Sequence, residues 1–161
     1  MILEQKYQAL IQEAEQQKLP DVDGIRLCFK TLSLAAAIDR DCAALLAPYA
    51  LSEGRFILLF LLNAASDGLA PNELAERAGV SRATVTGLLD GLEREVMIER
   101  HINEDDRRAL CIRLTRKGKE VAKDVFKQHS NWIAGLFDNL SLAERHQLAV
   151  LLDKVAVNLR G

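Results

Sequence analysis

The residues best suited to binding chemistry lie between Ser81 and Gly87, in the stretch Ser-Arg-Ala-Thr-Val-Thr-Gly. Arg82 could contact a guanine edge or a phosphate, and Thr84 and Thr86 could donate to phosphate oxygens or touch a thymine methyl group. The small Gly87 would let a helix end enter a groove closely. The same residue types also occur on surface helices that bind nothing, so this stretch alone leaves both interpretations open.

A second group with binding potential follows a predicted turn. The segment from Asn103 to Asp106 is polar and turn-prone, and Arg107 and Arg108 come directly after it. An arginine at the tip of a β-ribbon suits the minor groove of DNA, whose narrow segments concentrate negative potential. Asp106 could pair with a neighbouring arginine and fix its direction instead of repelling phosphate. A charged hairpin turn without a ligand is the alternative interpretation.

No arrangement typical of catalysis accompanies these groups. The sequence has no Ser/His/Asp set, no Cys/His pair and no paired carboxylates at a spacing that catalysis could use. The cysteines and histidines are scattered along the chain: Cys28, Cys42, Cys111, His101, His129 and His146. We therefore expect no enzymatic activity, no cofactor and no metal site.

A pair of short helices must position the residues around Arg82. Pro71 fits the first position of a helix, where its missing N–H costs nothing, and Gly79 ends that helix. Ser81 caps the next helix, and we expect Val80, between them, to be buried in the angle of the turn. The inward positions of the second helix recur at helical spacing and are Val85, Leu88, Leu89 and Leu92. This pattern predicts a helix-turn-helix.

Two extended segments, Met97 to Ile102 and Ala109 to Leu114, flank the acidic tip and predict a β-hairpin wing. Ser52 caps an apolar helix that leads into this lobe and runs to about Ala64. The expected fold is therefore mainly α with a small β wing, a winged helix-turn-helix lobe with further helices at both ends of the chain.

The terminal helices carry more apolar surface than one small lobe can bury. A short helix within Met1 to Lys18 precedes a long helix from Asp23 to Leu46, which ends before Pro48 because a residue preceding proline disfavours the helical conformation. After the wing, Thr115 caps one helix and Ser141 opens a last one with a capping box. Their apolar residues include Trp132, Ile133, Leu136, Phe137, Leu148, Leu151, Leu152, Val155 and Leu159. An unburied surface of this length predicts a partner.

Overall charge does not point to a particular partner. The chain has 161 residues, a net charge of −2 and a pI near 5.9, so it lacks the strongly basic balance of many nucleic-acid binders. Between Arg100 and Lys119, however, the sequence has seven cations and only three carboxylates, so positive charge is concentrated around the wing. The first twenty residues lack the apolar core of a signal peptide, and the cysteine usage suits a reducing compartment, so we expect the cytoplasm.

Several short motifs, taken together, resemble the MarR family of bacterial regulators. They are Ser81-x-x-Thr84-Val85-Thr86, Leu92-Glu93, Ile98-x-Arg100, Asp106-Arg107-Arg108 and Leu114-Thr115-x-x-Gly118. The similarity extends from about Ile25 to the C-terminus. It implies dimerisation helices at 21–50 and 119–161 and a DNA-binding lobe at 51–118, and the residue pattern before them predicts an N-terminal extension helix at residues 1–20.

The resemblance implies a homodimer whose two lobes bind half-sites of a pseudo-palindromic operator, about one DNA turn (~34 Å) apart. The DNA-binding residues would be Ser81, Arg82, Thr84, Thr86, Gly87, Arg107 and Arg108, with Asp106 orienting the wing. The expected function is a repressor released from double-stranded DNA by a small aromatic or carboxylate ligand. The alternatives are a redox-sensing repressor switched through Cys28 and a winged helix that binds only proteins.

Two positions depart from what the resemblance implies. Val96 stands where the family usually has glycine after the recognition helix, so a left-handed turn there would be strained unless the helix ends differently. Cys28, in Leu-Cys-Phe, resembles the reactive cysteine of the peroxide-sensing branch. The tyrosines expected to support its thiolate are replaced by Cys42 and Glu53. Cys28 also fits the apolar face of its helix as a small buried residue.

Overall fold

The computed structural model describes residues 3–102 and 110–159. In these ranges the chain is mainly helical, with one two-stranded antiparallel sheet. The helices are α1 (Gln5–Gln16), α2 (Val22–Leu46), α3 (Glu53–Asn63), α4 (Pro71–Ala78), α5 (Arg82–Arg94), α6 (Arg116–Gly135) and α7 (Leu142–Val157). The strands are β1 (Ile98–Ile102) and β2 (Leu110–Leu114), and a short 3-10 helix, Ala47–Tyr49, follows α2. The chain divides into two compact units, residues 1–56 and 57–161.

In the first unit, α1 packs along α2. Ile11 and Ala14 of α1 are buried, and the Tyr7 and Phe29 rings stack with centroids 4.6 Å apart. Arg26 of α2 forms an ion pair with Glu15 of α1 at 2.7 Å. The N-terminal extension therefore folds back on its own chain.

Helix α2 has the length that the apolar pattern predicts. Asp21 caps its start, since the carboxylate accepts from the Gly24 N–H at 3.0 Å, and the helix runs to Leu46 before Pro48 enters the 3-10 turn. Leu32, which the sequence places on the apolar side, is 46% exposed. Helix α1 has 12 residues and α2 has 25, so α1 covers only part of it.

The second unit contains the predicted helix-turn-helix. Leu74 and Ala75 of α4 pack inside with Val85, Leu89 and Leu92 of α5. Gly79 ends α4 with a φ of +66°, and the Val80 N–H donates to the Ala75 carbonyl at 3.1 Å. The expectation that Val80 is buried is wrong: it is 39% exposed, because its backbone closes the end of α4 while its side chain stays partly in solvent.

The wing begins as a regular hairpin. Strands β1 and β2 pair in register, with Ile98 opposite Leu114 and Arg100 opposite Ile112. An isolated bridge from Leu69 to Ile112 ties the segment before α4 to β2. Gly68, with a φ of +85°, lets this segment approach, because a Cβ there would meet the Ile112 carbonyl.

The link from α5 to β1 is a tight left-handed corner at Val96, whose φ is +57°. The Val96 N–H donates to Glu93 O and the Met97 N–H to Leu92 O, both at 2.9 Å, so the corner closes the end of α5 as a glycine would. The helix therefore does not end differently to avoid strain. A β-branched residue occupies the left-handed region, and its side chain is 62% exposed.

The first turn of α6 holds this corner. Thr115 donates through its hydroxyl to Val96 O at 2.7 Å and through its N–H to Met97 O at 3.0 Å. The Lys117 ammonium donates to Glu95 O at 2.7 Å. Gly118 is required because a Cβ there would overlap the Met97 carbonyl oxygen. The spacing Thr-x-x-Gly is thus explained by a backbone-to-backbone contact.

Helices α6 and α7 begin as expected. Thr115 accepts from the Gly118 N–H at 3.0 Å, and Ser141 and Glu144 form the predicted capping box. The capping hydrogen bonds from Ser141 lower the pKa of the Glu144 carboxyl. None of the residues of α7, all of which the structure describes, is buried. Its exposed apolar residues include Val150, Leu151, Leu152 and Val155.

In the described ranges, no single helix is long and apolar enough to cross a membrane, and only α2 and α3 together, as a bent pair, meet that length and composition.

We expect Val96→Gly to stabilise the fold. A left-handed backbone conformation costs a residue with a Cβ about 1–2 kcal/mol. Glycine avoids this cost but loses more chain entropy on folding, so the net gain in the free energy of unfolding is about 0.5–1 kcal/mol. The melting temperature should therefore rise by a few degrees. Gly118→Ala is the matched comparison and should lower it, since the new methyl group has no room. A Val96→Gly protein that melts earlier than wild type would show that the corner is not strained.

Candidate nucleic-acid interface

The N-terminus of α5 is fixed by its own hydroxyl groups. The Ser81 Oγ accepts from the Thr84 N–H at 3.1 Å and shares a hydrogen bond with the Thr84 hydroxyl at 2.8 Å. This confirms Ser81 as the cap of α5. Both residues remain exposed, so their oxygens can still meet a ligand at the positive end of the helix dipole.

Thr86 is more restricted than the sequence suggests. Its hydroxyl donates to the Arg82 carbonyl, one turn back, at 3.0 Å. A hydroxyl has a single proton, so Thr86 keeps only lone pairs and a methyl group for an external contact unless this bond breaks. Contact with a thymine methyl is then easier for Thr86 than donation to a phosphate.

Arg82 and Gly87 both lie open to solvent on α5. Among the described residues, Arg82 forms neither a hydrogen bond nor an ion pair that would hold its guanidinium back. Around Gly87, apart from its two chain neighbours and the adjacent backbone of its own helix, no described atom lies within 4 Å of where a Cβ would be. Glycine inside a helix costs about 1 kcal/mol relative to alanine. The protein's own packing gives no reason for glycine here, which fits close approach by another molecule.

Arg100 is a site residue whose role the sequence reasoning missed. From β1 it pairs with Asp90 through Nη2 and with Glu93 through Nε, the latter at 3.2 Å, and so holds the second half of α5 against the sheet. Its signal was the alternation of β1: Ile98 is buried, so residue 100 lies on the same face of the strand. The motif Ile98-x-Arg100 is therefore a helix-to-strand contact.

The candidate wing-tip residues Asp106, Arg107 and Arg108 lie outside the described residues, as do Asn103 to Asp105. On the base of the wing, the Arg113 Nε and the Cys111 thiol both donate to the Asp67 carbonyl, at 3.1 and 3.2 Å.

The cysteines differ from the expectation of a buried Cys28. Cys28 is exposed, because the neighbouring Phe29 makes the contact with α1. Burial raises the pKa of the Cys42 thiol, and the carboxylates of Glu53 and Asp39 raise it further. Cys28 and Cys42 lie on one helix, fourteen residues apart. At 1.5 Å per residue they are about 21 Å apart, so they cannot form a disulfide within one chain.

The described residues hold no group of three or more His, Cys, Asp or Glu side chains that could bind a metal ion. The arrangement on α5 is instead a capped helix end with an exposed arginine, hydroxyls and a glycine, followed by a hairpin. Such a surface can bind in the grooves of a nucleic-acid duplex.

Comparisons with known proteins agree with this geometry. The sequence profile of the MarR family matches residues 51–110. The chain is 32% identical over 148 residues to the HTH-type transcriptional repressor YetL of Bacillus subtilis, which covers 91% of this chain and 89% of YetL. It is 33% identical over 106 residues to the transcriptional repressor MprA of Escherichia coli, over 65% of this chain and 60% of MprA.

A solved structure of the same fold is bound to DNA. The transcriptional repressor CouR on a 23-mer duplex superposes with a TM-score of 0.67 at 26% identity, over 81% of this chain and 92% of CouR. A mainly helical fold with a two-stranded wing, a capped recognition helix and a repressor relative along nearly its whole length lead to one assignment. The chain belongs to the MarR family of winged helix-turn-helix DNA-binding transcriptional regulators and is not an enzyme.

Proposed function

We propose that the protein is a cytoplasmic homodimeric repressor that binds a pseudo-palindromic duplex operator and is released by a small aromatic or carboxylate ligand. The observation that carries the DNA-binding part is the exposed N-terminal half of α5. It presents an exposed guanidinium, three hydroxyl groups and an open glycine on one helix.

In this proposal α5 lies in the major groove. Arg82 contacts a guanine edge or a phosphate, and Ser81 and Thr84 contact phosphate oxygens at the helix end. Thr86 offers its methyl group to thymine, because its hydroxyl proton is held by Arg82 O. Gly87 allows the helix to sit deeply in the groove.

The wing supplies the second contact. We propose that Arg108, supported by Arg107, enters the adjacent minor groove and that Asp106 fixes the arginine's direction. The support is the regular pairing of β1 and β2 up to Ile102 and Leu110, the described residues that flank the tip.

The proposed dimer is supported by apolar surface that one chain leaves in water. Helix α7 exposes Leu151 and Leu152, α6 exposes Ile133, and the turn after α6 exposes Phe137. A groove of about 340 Å³ between these helices is lined by Phe137, Leu148 and Leu152 among others. Contiguous exposed apolar surface is typical of interaction sites. We assign residues 21–50 and 119–161 to dimerisation, 51–118 to DNA binding and 1–20 to an extension that braces α2.

The dimer proposal predicts that Leu152→Glu separates the subunits. A carboxylate placed in an apolar interface must lose its hydration, so we expect sedimentation to shift from dimer towards monomer at micromolar concentration. Lys154→Glu introduces the same residue two positions along and should leave the dimer intact. A wild-type protein that sediments as a monomer would exclude the dimer.

The DNA contacts predict unequal effects of the two wing arginines. Arg108→Ala should weaken binding to DNA flanking the protein's own gene by about 1–3 kcal/mol, the range of a lost specific contact. Arg107→Ala should cost less, and Asp106→Ala should weaken binding indirectly. Gel retardation at several salt concentrations measures all three, since phosphate contacts make affinity salt-dependent. A larger loss for Arg107→Ala would place that arginine in the groove instead.

A redox switch is the second candidate, and the exposure of Cys28 favours it over a purely structural cysteine. We expect an organic hydroperoxide to lower operator affinity in wild type but not in Cys28→Ser if the thiol is oxidised and thereby releases DNA. Any disulfide must join two subunits, because Cys42 is out of reach within one helix. Unchanged affinity after oxidation of the wild-type protein would remove this candidate and leave the small-molecule ligand.

A further inference from the structure

Asp90 lies on the same exposed side of α5 as the proposed DNA-binding residues. It follows Ala83 by seven residues and Thr86 by four, which at 3.6 residues per turn places the three along one stripe of the helix. Its side chain is 55% exposed. The buried side of α5 is formed instead by Val85, Leu89 and Leu92.

The Asp90 carboxylate is held in place from the wing. Arg100 Nη2 contacts its Oδ1, and the same guanidinium pairs with Glu93 at 3.2 Å. Within residues 3–102 and 110–159, its other oxygen, Oδ2, accepts no hydrogen bond. The carboxylate is thus oriented by one oxygen while the other remains open.

A carboxylate facing DNA would normally be repelled by phosphate, but the charges around Asp90 balance. Arg94 donates through Nε to the Asp90 carbonyl at 3.3 Å, and Arg100 lies between Asp90 and Glu93. The guanidinium groups of Arg94 on α5 and Arg100 on β1 therefore offset the two carboxylates on the last two turns of α5. These cations also lie at the end of the helix where its dipole favours positive charge.

We propose that Asp90 is a specificity-determining residue that accepts a hydrogen bond from the amino group of a cytosine in the major groove, with Arg100 as its positioning residue. The inference rests on the proposed binding of α5 in that groove. An ionised carboxylate only accepts hydrogen bonds, and the major groove offers donors only at cytosine N4 and adenine N6. Adenine places the acceptor N7 beside its amino group, and guanine and thymine present acceptors, so cytosine fits best.

The aspartate side chain is short, but small neighbouring residues allow the helix to come close enough for Asp90 to contact a base. Ala83 and Gly87 occupy the turns before Asp90 on the exposed side, and no described atom from outside its own stretch of helix fills the space around Gly87. A helix with this surface can approach base edges closely, which an aspartate side chain needs more than a glutamate would.

The test is selection of bound duplexes from a randomised DNA library, followed by sequencing, for wild type and single variants. Wild type should enrich cytosine at one position of each half-site. Asp90→Ala should reduce the enrichment of cytosine at that position about tenfold, while its affinity for unselected DNA should be equal to that of wild type or higher. Asp90→Asn should shift the preference towards adenine, because an amide can both donate to N7 and accept from N6. A purely structural aspartate would produce no such gain.

Two further variants distinguish the orientation of the Asp90 carboxylate from a general change in surface charge. Glu120→Gln removes an exposed carboxylate from α6, outside this ion-pair cluster, and should leave the base preference unchanged. Arg100→Gln should reduce the preference at the Asp90 position with smaller changes elsewhere. Melting temperatures of all variants identify any that fail to fold.

The outcomes are distinguishable. If Asp90→Asn and Asp90→Ala, both folded, keep the wild-type preference or weaken every position equally, Asp90 does not recognise a base and this inference is overturned. If wild type itself selects no sequence, the proposed function fails with it.

Discussion

The geometry of the whole winged lobe depends on the hydrogen bonds from the first turn of α6 to the corner after α5. Three consecutive carbonyls, those of Glu95, Val96 and Met97, each receive a donor from Thr115 or Lys117. Such carbonyls beyond a helix end would otherwise need water or side-chain partners. The contact is possible only because Gly118 has no side chain. It sets the direction in which the wing leaves the recognition helix and ties both to the helix that continues towards the C-terminus.

The same corner contains a conflict between local backbone preference and the fold. Val96 adopts a left-handed conformation that glycine would adopt without strain. The hydrogen bonds from α6 and the closure of α5 over-determine the corner, so the surrounding structure supports the strained residue. The backbone strain at Val96 is therefore tolerated because it keeps α5, the wing and α6 in a single arrangement.

Electrostatics on α5 divide the helix into two halves. The first half presents Arg82 and hydroxyl groups at the positive end of the dipole, where an anion binds most favourably. The second half carries Asp90 and Glu93, balanced by Arg94 and Arg100. This explains how a protein with a net charge of −2 can still present a surface suited to DNA. The distribution of charge matters here, and the total does not.

The sequence alone determined the elements and most of the candidate interface. Helical and strand periodicity, Pro71, Gly79 and the caps Ser81, Thr115 and Ser141 are local signals, so the order of elements and the exposed side of α5 could be predicted from them. Only the tertiary structure decided contacts between residues distant in the chain: Arg100 on Asp90, Thr115 on Val96, and α1 on α2. It also showed Val80 and Cys28 exposed, against expectation. Periodicity defines which residues share a face of an element, but burial depends on which neighbour covers that face, and this is settled only when the chain packs.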